Sequence, residues 1–163
     1  MEDFIKLKKD NVLVVGIKDS EGNDTNCRLK FDLEDVELPL RYQELLEEHK
    51  KNLNYVRNQF IIINKKEDRK GKKLLSYNEE EKIRIINDFY KKEIKTMNMF
   101  LGDGKVEEIL KIMDRKPYIS MFDDIAEALE PLLPLLKNNM SDIEGKIKEK
   151  YSNMKEENVI KDE

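Results

Sequence analysis

The sequence predicts a mainly α fold in which an N-terminal β-hairpin is followed by four or five amphipathic helices. Three observations lead there. Lys, Glu, Leu and Ile are abundant while Gly (6) and Pro (4) are scarce among 163 residues, a mix that favours long helices. Apolar residues recur at three- and four-residue steps from Pro39 onward. Only the segment before residue 38 follows period two instead. The chain divides accordingly into a hairpin region (1–37), a helical core (38–140) and a charged helical C-terminal arm (141–163).

The hairpin comes first. Asn11–Lys18 is rich in β-branched residues, and Thr25–Asp32 alternates so that Cys27, Leu29 and Phe31 share one face. Asp19–Asp24 between them is dense in turn formers, with Gly22 or Asn23 available for a positive φ. A lone hairpin is marginal in water, so this one must pack on helices or on a partner.

The first helix opens near Pro39 and carries Tyr42, Leu45, Leu46, His49, Leu53, Val56, Phe60 and Ile63 on its stripe. It fades into the basic stretch 65–73, read as a solvated linker. Ser76 and Glu79 have capping-box spacing, so a second helix starts there, with Ile83, Ile86, Tyr90, Ile94, Met97 and Leu101 as its stripe. Gly102 is expected just past its end in a left-handed conformation, Asp103 as the cap of a short third helix from Val106 to about Asp114, and Gly104 within that helix's first turn. The last helix begins near Tyr118, with Ser120 and Asp123 as cap elements. Its apolar positions run at near-heptad spacing through Phe122, Ile125, Leu129, Leu133, Leu136, Met140, Ile143, Ile147, Tyr151 and Met154. Pro131 and Pro134 interrupt it, as a kink, as a break, or as a hinge that aims the neighbouring leucines at a partner.

Composition narrows the function. A net charge of -4 disfavours nucleic acid or an anionic membrane surface as the main partner. A lone Cys27 cannot form an internal disulfide, which fits a reducing compartment. Met1–Ile5 lacks the basic and apolar regions of a secretion signal, and neither Phe60–Ile63 nor the stretch around Leu132–Leu136 approaches the roughly 20 apolar residues of a membrane span. A soluble intracellular protein without membrane partner is expected.

The inventory for catalysis is short. His49, the only histidine, lies on the apolar stripe of the first helix, and Cys27 alternates with Leu29 and Phe31, so both read as packed residues. A zinc site needs three or four Cys or His ligands, which the chain does not offer. Asp123 and Asp124 point to different sides of a helix, and Glu79–Glu81 suit a helix N-terminus. Gly102-Asp103-Gly104 lacks the strand before and the Lys-Ser/Thr after that make a phosphate loop. No catalytic residue, no metal and no cofactor is expected, and the protein reads as a binder of other proteins.

Phe31-Asp-Leu33, Phe100-Leu-Gly-Asp-Gly104, the short apolar run Val106, Ile109, Leu110, then Asp114-Arg-Lys-Pro117 and Phe122-Asp-Asp-Ile-Ala-Glu-Ala-Leu129 follow one another in a set order. In that order and spacing, over roughly residues 10–140, the chain resembles the tail assembly chaperones of long-tailed phages. The basic linker and the arm from Asn138 depart from that pattern. The resemblance implies a non-enzymatic chaperone in the cytoplasm of a bacterial host, absent from the mature virion. Its partners would be the tape measure protein and the tail tube protein that polymerises around it. A structural tail or connector component retained in the virion is the alternative, and a small helical DNA-binding regulator is a weaker one.

For such a role the candidate partner-binding residues are Phe122, Leu129, Leu132, Leu133, Leu135 and Leu136. Their apolar character covers more than one helix face, which implies either deep burial or a second contact. The arm's seam is too narrow for one helix to bury alone, so the arm docks on the domain or pairs with another copy.

Overall fold

The computed structural model describes residues 2–5 and 11–161; within the last helix the side chains of 138–140 and 155–161, Met140 among them, lie outside the description. The elements are β1 (Val12–Lys18), β2 (Asp24–Asp32), α1 (Leu38–Asn64), α2 (Tyr77–Leu101), α3 (Lys105–Ile112), α4 (Met121–Leu129) and α5 (Leu133–Lys161), with one 3-10 turn at Glu130–Leu132. The fold is mainly α with an N-terminal antiparallel hairpin.

The hairpin turn is built by Asp19, whose carboxylate accepts from the backbone N–H groups of Glu21 and Asn23, while Gly22 takes the positive φ of +84°. Leu13 pairs with Phe31 and Val15 with Leu29. Cys27, Leu29 and Phe31 are buried, and the Phe31 ring lies 5.4 Å from that of Phe100 in α2. The helices therefore supply the cover that two strands lack by themselves. Burial pushes the Cys27 thiol up, with Glu108 of α3 adding to it. Where β2 hands over to α1, Arg41 pairs with Asp35 and holds its carboxyl below the usual range.

Helices α1 and α2 form a long antiparallel pair. Pro39 sits in the first turn of α1, and the Ser76 hydroxyl accepts from the Glu79 N–H at 3.2 Å at the start of α2. The basic stretch between them is more than a solvated linker. Lys66 pairs with Glu81, the Asp68 carboxylate accepts from the Asn78 N–H, and the Asn78 amide donates to the carbonyls of Ile63 and Lys66. The far tip of the pair is thus tied down, with Ile63 and Phe89 buried between the helices.

The corner at residues 102–104 differs from expectation in three ways. Gly102 has φ +115° and ψ 156°, an extended mirror-image conformation open essentially to glycine, rather than a left-handed helical one. Gly104 is the left-handed residue, with φ +71° and ψ 5°, and it precedes α3 instead of lying inside it. Asp103 caps nothing; the cap of α3 comes from Asn98, whose side-chain oxygen accepts from the Val106 N–H at 2.9 Å while its amide donates to Glu107. A side chain about one turn back from the end of α2 reaches this N–H because the two glycines fold α3 directly against it. The exit of α3 explains the Asp-Arg-x-Pro motif: Asp114 takes a positive φ of +51°, which Asp tolerates, and the Arg115 N–H closes back onto the Leu110 carbonyl.

The two prolines break the last helix. Pro131 lies in the 3-10 turn and Pro134 in the first turn of α5, positions where a missing N–H leaves no bond unmade. From Leu133 the helix runs on without a break through the arm. Ser120 precedes α4 but makes no side-chain cap bond. One core joins the inner faces of β2, α3 and α4 to the near ends of α1, α2 and α5, centred on Phe31, Met97, Phe100, Val106 and Phe122.

Candidate protein-binding surface

The leucine-rich segment is chiefly interior. Phe122, Leu129 and Leu136 are buried in the core, and Leu132 and Leu133 pack against it. Leu135 alone is open, at 47% exposure. The wide apolar girdle thus reports deep burial: α4, the 3-10 turn and the start of α5 wrap the core in quick succession, so successive faces all turn inward. Gly102, Asp103 and Gly104 form the α2–α3 corner and line none of the grooves described below.

His49 is the centre of the one buried polar cluster in this part of the fold. Its Nδ1 lies 2.5 Å from a Glu93 carboxylate oxygen, and the Asn52 amide donates to the other oxygen at 2.7 Å. Its ring stacks on Phe122, and its Nε2 is 3.8 Å from Asp123 of α4. Glu93 is 1% exposed, and the cluster ties α1, α2 and α4 together. Among the described residues no buried side-chain polar atom lacks a partner, and no group of three metal-ligating side chains comes together. No helix there is long and apolar enough to cross a membrane.

The open apolar surface lies elsewhere, on the outer half of the α1–α2 pair. Helix α4 sits in the groove between these two helices. Phe122 at its start covers His49, and Glu130 just past its end lies near Tyr42, whose hydroxyl burial and that carboxylate together push up. The residues facing it include Tyr42 and Leu45 of α1 and Met97 and Leu101 of α2. Three- and four-residue steps carry the two stripes outward, from Tyr42 and His49 to Leu53, Val56 and Phe60, and heptad steps from Met97 to Tyr90 and Ile83. Positions seven apart share a face, so α4's seat continues past its N-terminus. There Leu53 and Ile83 are 40% and 43% exposed, and Val56, Phe60 and Ile86 are half-buried. The Lys82 ammonium lies over the Phe60 ring at 5.6 Å, covering its rim. The sequence shows both stripes, but a stripe does not say where its cover stops.

A second groove lies between α1 and α2 on the side away from α4. Leu45, Thr96 and Phe100 form its floor, and its volume is about 670 Å³. Glu44, Glu47 and Glu48 of α1 wall one side, and Lys92 and Lys95 of α2 the other. Met99, largely exposed, forms its lip toward the hairpin.

No family model, curated protein or solved structure matches this chain.

Proposed function

We propose that this protein is a tail assembly chaperone of a long-tailed phage or prophage, which binds the tape measure protein and keeps it soluble until the tail tube polymerises around it. The ordered motifs support the family reading, and the uncovered continuation of α4's seat carries the binding reading. A groove that already holds one amphipathic helix offers its outer half to another, presented in line with α4. A tape measure protein is a long helical chain with apolar faces, the kind of ligand that a helix-in-groove surface takes up. Because Asn78 and the buried Ile63 and Phe89 hold the outer half together, the surface is preorganised, which lowers the ordering cost of binding. Leu53, Phe60 and Ile83 are already more than half covered, so a partner that buries them gains only part of the roughly 1.5–3 kcal/mol of a fully exposed side chain at each, and a stable complex draws on further contacts along the helix.

The test is co-expression with the cognate tape measure protein. Leu53→Asp combined with Ile83→Asp should leave the chaperone folded, since both positions are open, while the tape measure protein moves to the insoluble fraction. Wild-type yields of soluble tape measure protein with a folded double variant would refute the proposed surface. A wild-type chaperone that gives no solubilisation at all would refute the function.

A further inference from the structure

The uncovered half of α4's seat has a basic rim. Helix α1 carries no Asp or Glu from His49 to Asn64. Within that span Lys50 lies three positions before Leu53 and Arg57 four positions after it, a spacing that sets side chains next to one another, so both border the open stripe. Across the groove Lys91 of α2 stands three positions before Ile94, at the edge of the stripe that Tyr90 and Met97 share. All three cations are exposed, and among the described residues none of them enters an ion pair.

The acids nearest to this rim are already engaged. Glu93 is buried with His49 and Asn52, Glu81 pairs with Lys66, and Glu80 stands between Lys73 and Arg84. Asp124 accepts from the Tyr118 hydroxyl, and Asp123 lies beside His49. Asp88 is two positions from both Ile86 and Tyr90, on the opposite face of α2. Glu79 stands at the outermost end, in the first turn of α2, where a helix N-terminus draws a carboxylate. In a chain whose net charge is -4, the free charge along this half of the groove is therefore positive.

We propose that the partner segment taken up by the outer half of the seat is an acidic amphipathic helix, with carboxylates along the edges of its apolar face. This rests on the binding surface described above and adds the charge of what it binds. Two observations choose the occupant. The groove is continuous with a seat that already holds a helix of this kind: α4 packs Phe122, Ile125 and Leu129 inward, and its only charged residues are Asp123, Asp124 and Glu127. The charges are also complementary, since Lys50 and Arg57 on one side and Lys91 on the other await carboxylates. Ion pairs at such an exposed rim select and steer a partner more than they hold it, so the apolar stripe supplies the affinity and the rim the preference.

The experiment is fluorescence anisotropy on the full chain with two labelled peptides. One repeats Phe122–Ala128 in tandem, so that its Phe and Ile residues share one face, and the other carries Lys in place of every Asp and Glu. The acidic peptide should bind about tenfold more tightly than the lysine peptide, and added salt should narrow the gap. Lys50→Glu with Arg57→Glu should erase that preference in a variant whose circular dichroism matches the wild type. Leu53→Asp with Ile83→Asp should abolish binding of both peptides. Equal binding of the two peptides, or binding of neither, would overturn the proposal. So would a preference that survives the Lys50 and Arg57 substitutions, or binding that survives those at Leu53 and Ile83. Co-expression separates this result from the function. Soluble tape measure protein alongside any of those outcomes leaves the chaperone reading standing, while an acidic preference without solubilisation refutes the function and keeps the preference.

Discussion

His49 and Phe122 stack face to face, with ring centroids 3.7 Å apart and planes 3° from parallel. The stacking places an edge of a polar ring against Glu93 while its face carries Phe122 from the first turn of α4. Docking of α4 on the α1–α2 pair and satisfaction of a buried carboxylate are therefore one event.

His49→Ala should accordingly destabilise by more than lost packing. It leaves the Glu93 carboxylate with Asn52 as its remaining partner in an interior site, a situation that costs about 3–5 kcal/mol when a buried pair is broken from one side. His49→Leu with Glu93→Leu removes both polar groups and should recover much of that loss. Urea denaturation of the two variants measures the difference. Equal midpoints would show that the pair acts as packing alone.

At the α2–α3 corner, both glycines are required for backbone reasons, for two different conformations. Gly102→Val should cost about 1–3 kcal/mol through strain at a φ of +115°, with a further contact because an added Cβ would stand 3.3 Å from the Lys105 side chain. Gly104→Ala meets only an ordinary contact, 3.9 Å from the Glu107 carboxylate, but must adopt a φ of +71°, so about 1–2 kcal/mol is expected. Gly104→Asn should be milder than Gly104→Ala, since Asn tolerates that region. Thermal melts of the three variants give the order. A Gly104→Ala variant as stable as the wild type would contradict the left-handed assignment.

Adjacent leucines at the start of α5 should behave oppositely. Leu136→Ala empties a core position and should cost about 2–5 kcal/mol, whereas Leu135→Ala, on the open side, should stay within about 1 kcal/mol. Chemical denaturation separates the two readily. A large loss at Leu135 would mean that an interface covers it in solution.

How much of this was legible in the sequence depends on the range of the interaction involved. The hairpin, the Ser76 cap, the boundaries of α1 and α2 and the burial of Cys27 were all readable, because alternation, capping and turn chemistry act between residues a few positions apart. The corner was located but its roles were misassigned. Asn98 caps α3 only because tertiary folding brings α3 back onto α2, a contact that no spacing rule within either helix encodes. The same limit applies to the leucines of 129–136 and to the stripes of α1 and α2. Periodicity specifies which side chains need cover, but the number of turns actually covered follows from where a third helix happens to end. Here α4 begins at Met121, after the turn at Asp114 and Arg115, and its cover leaves Leu53 and Ile83 open while Phe122 and Leu129 are buried.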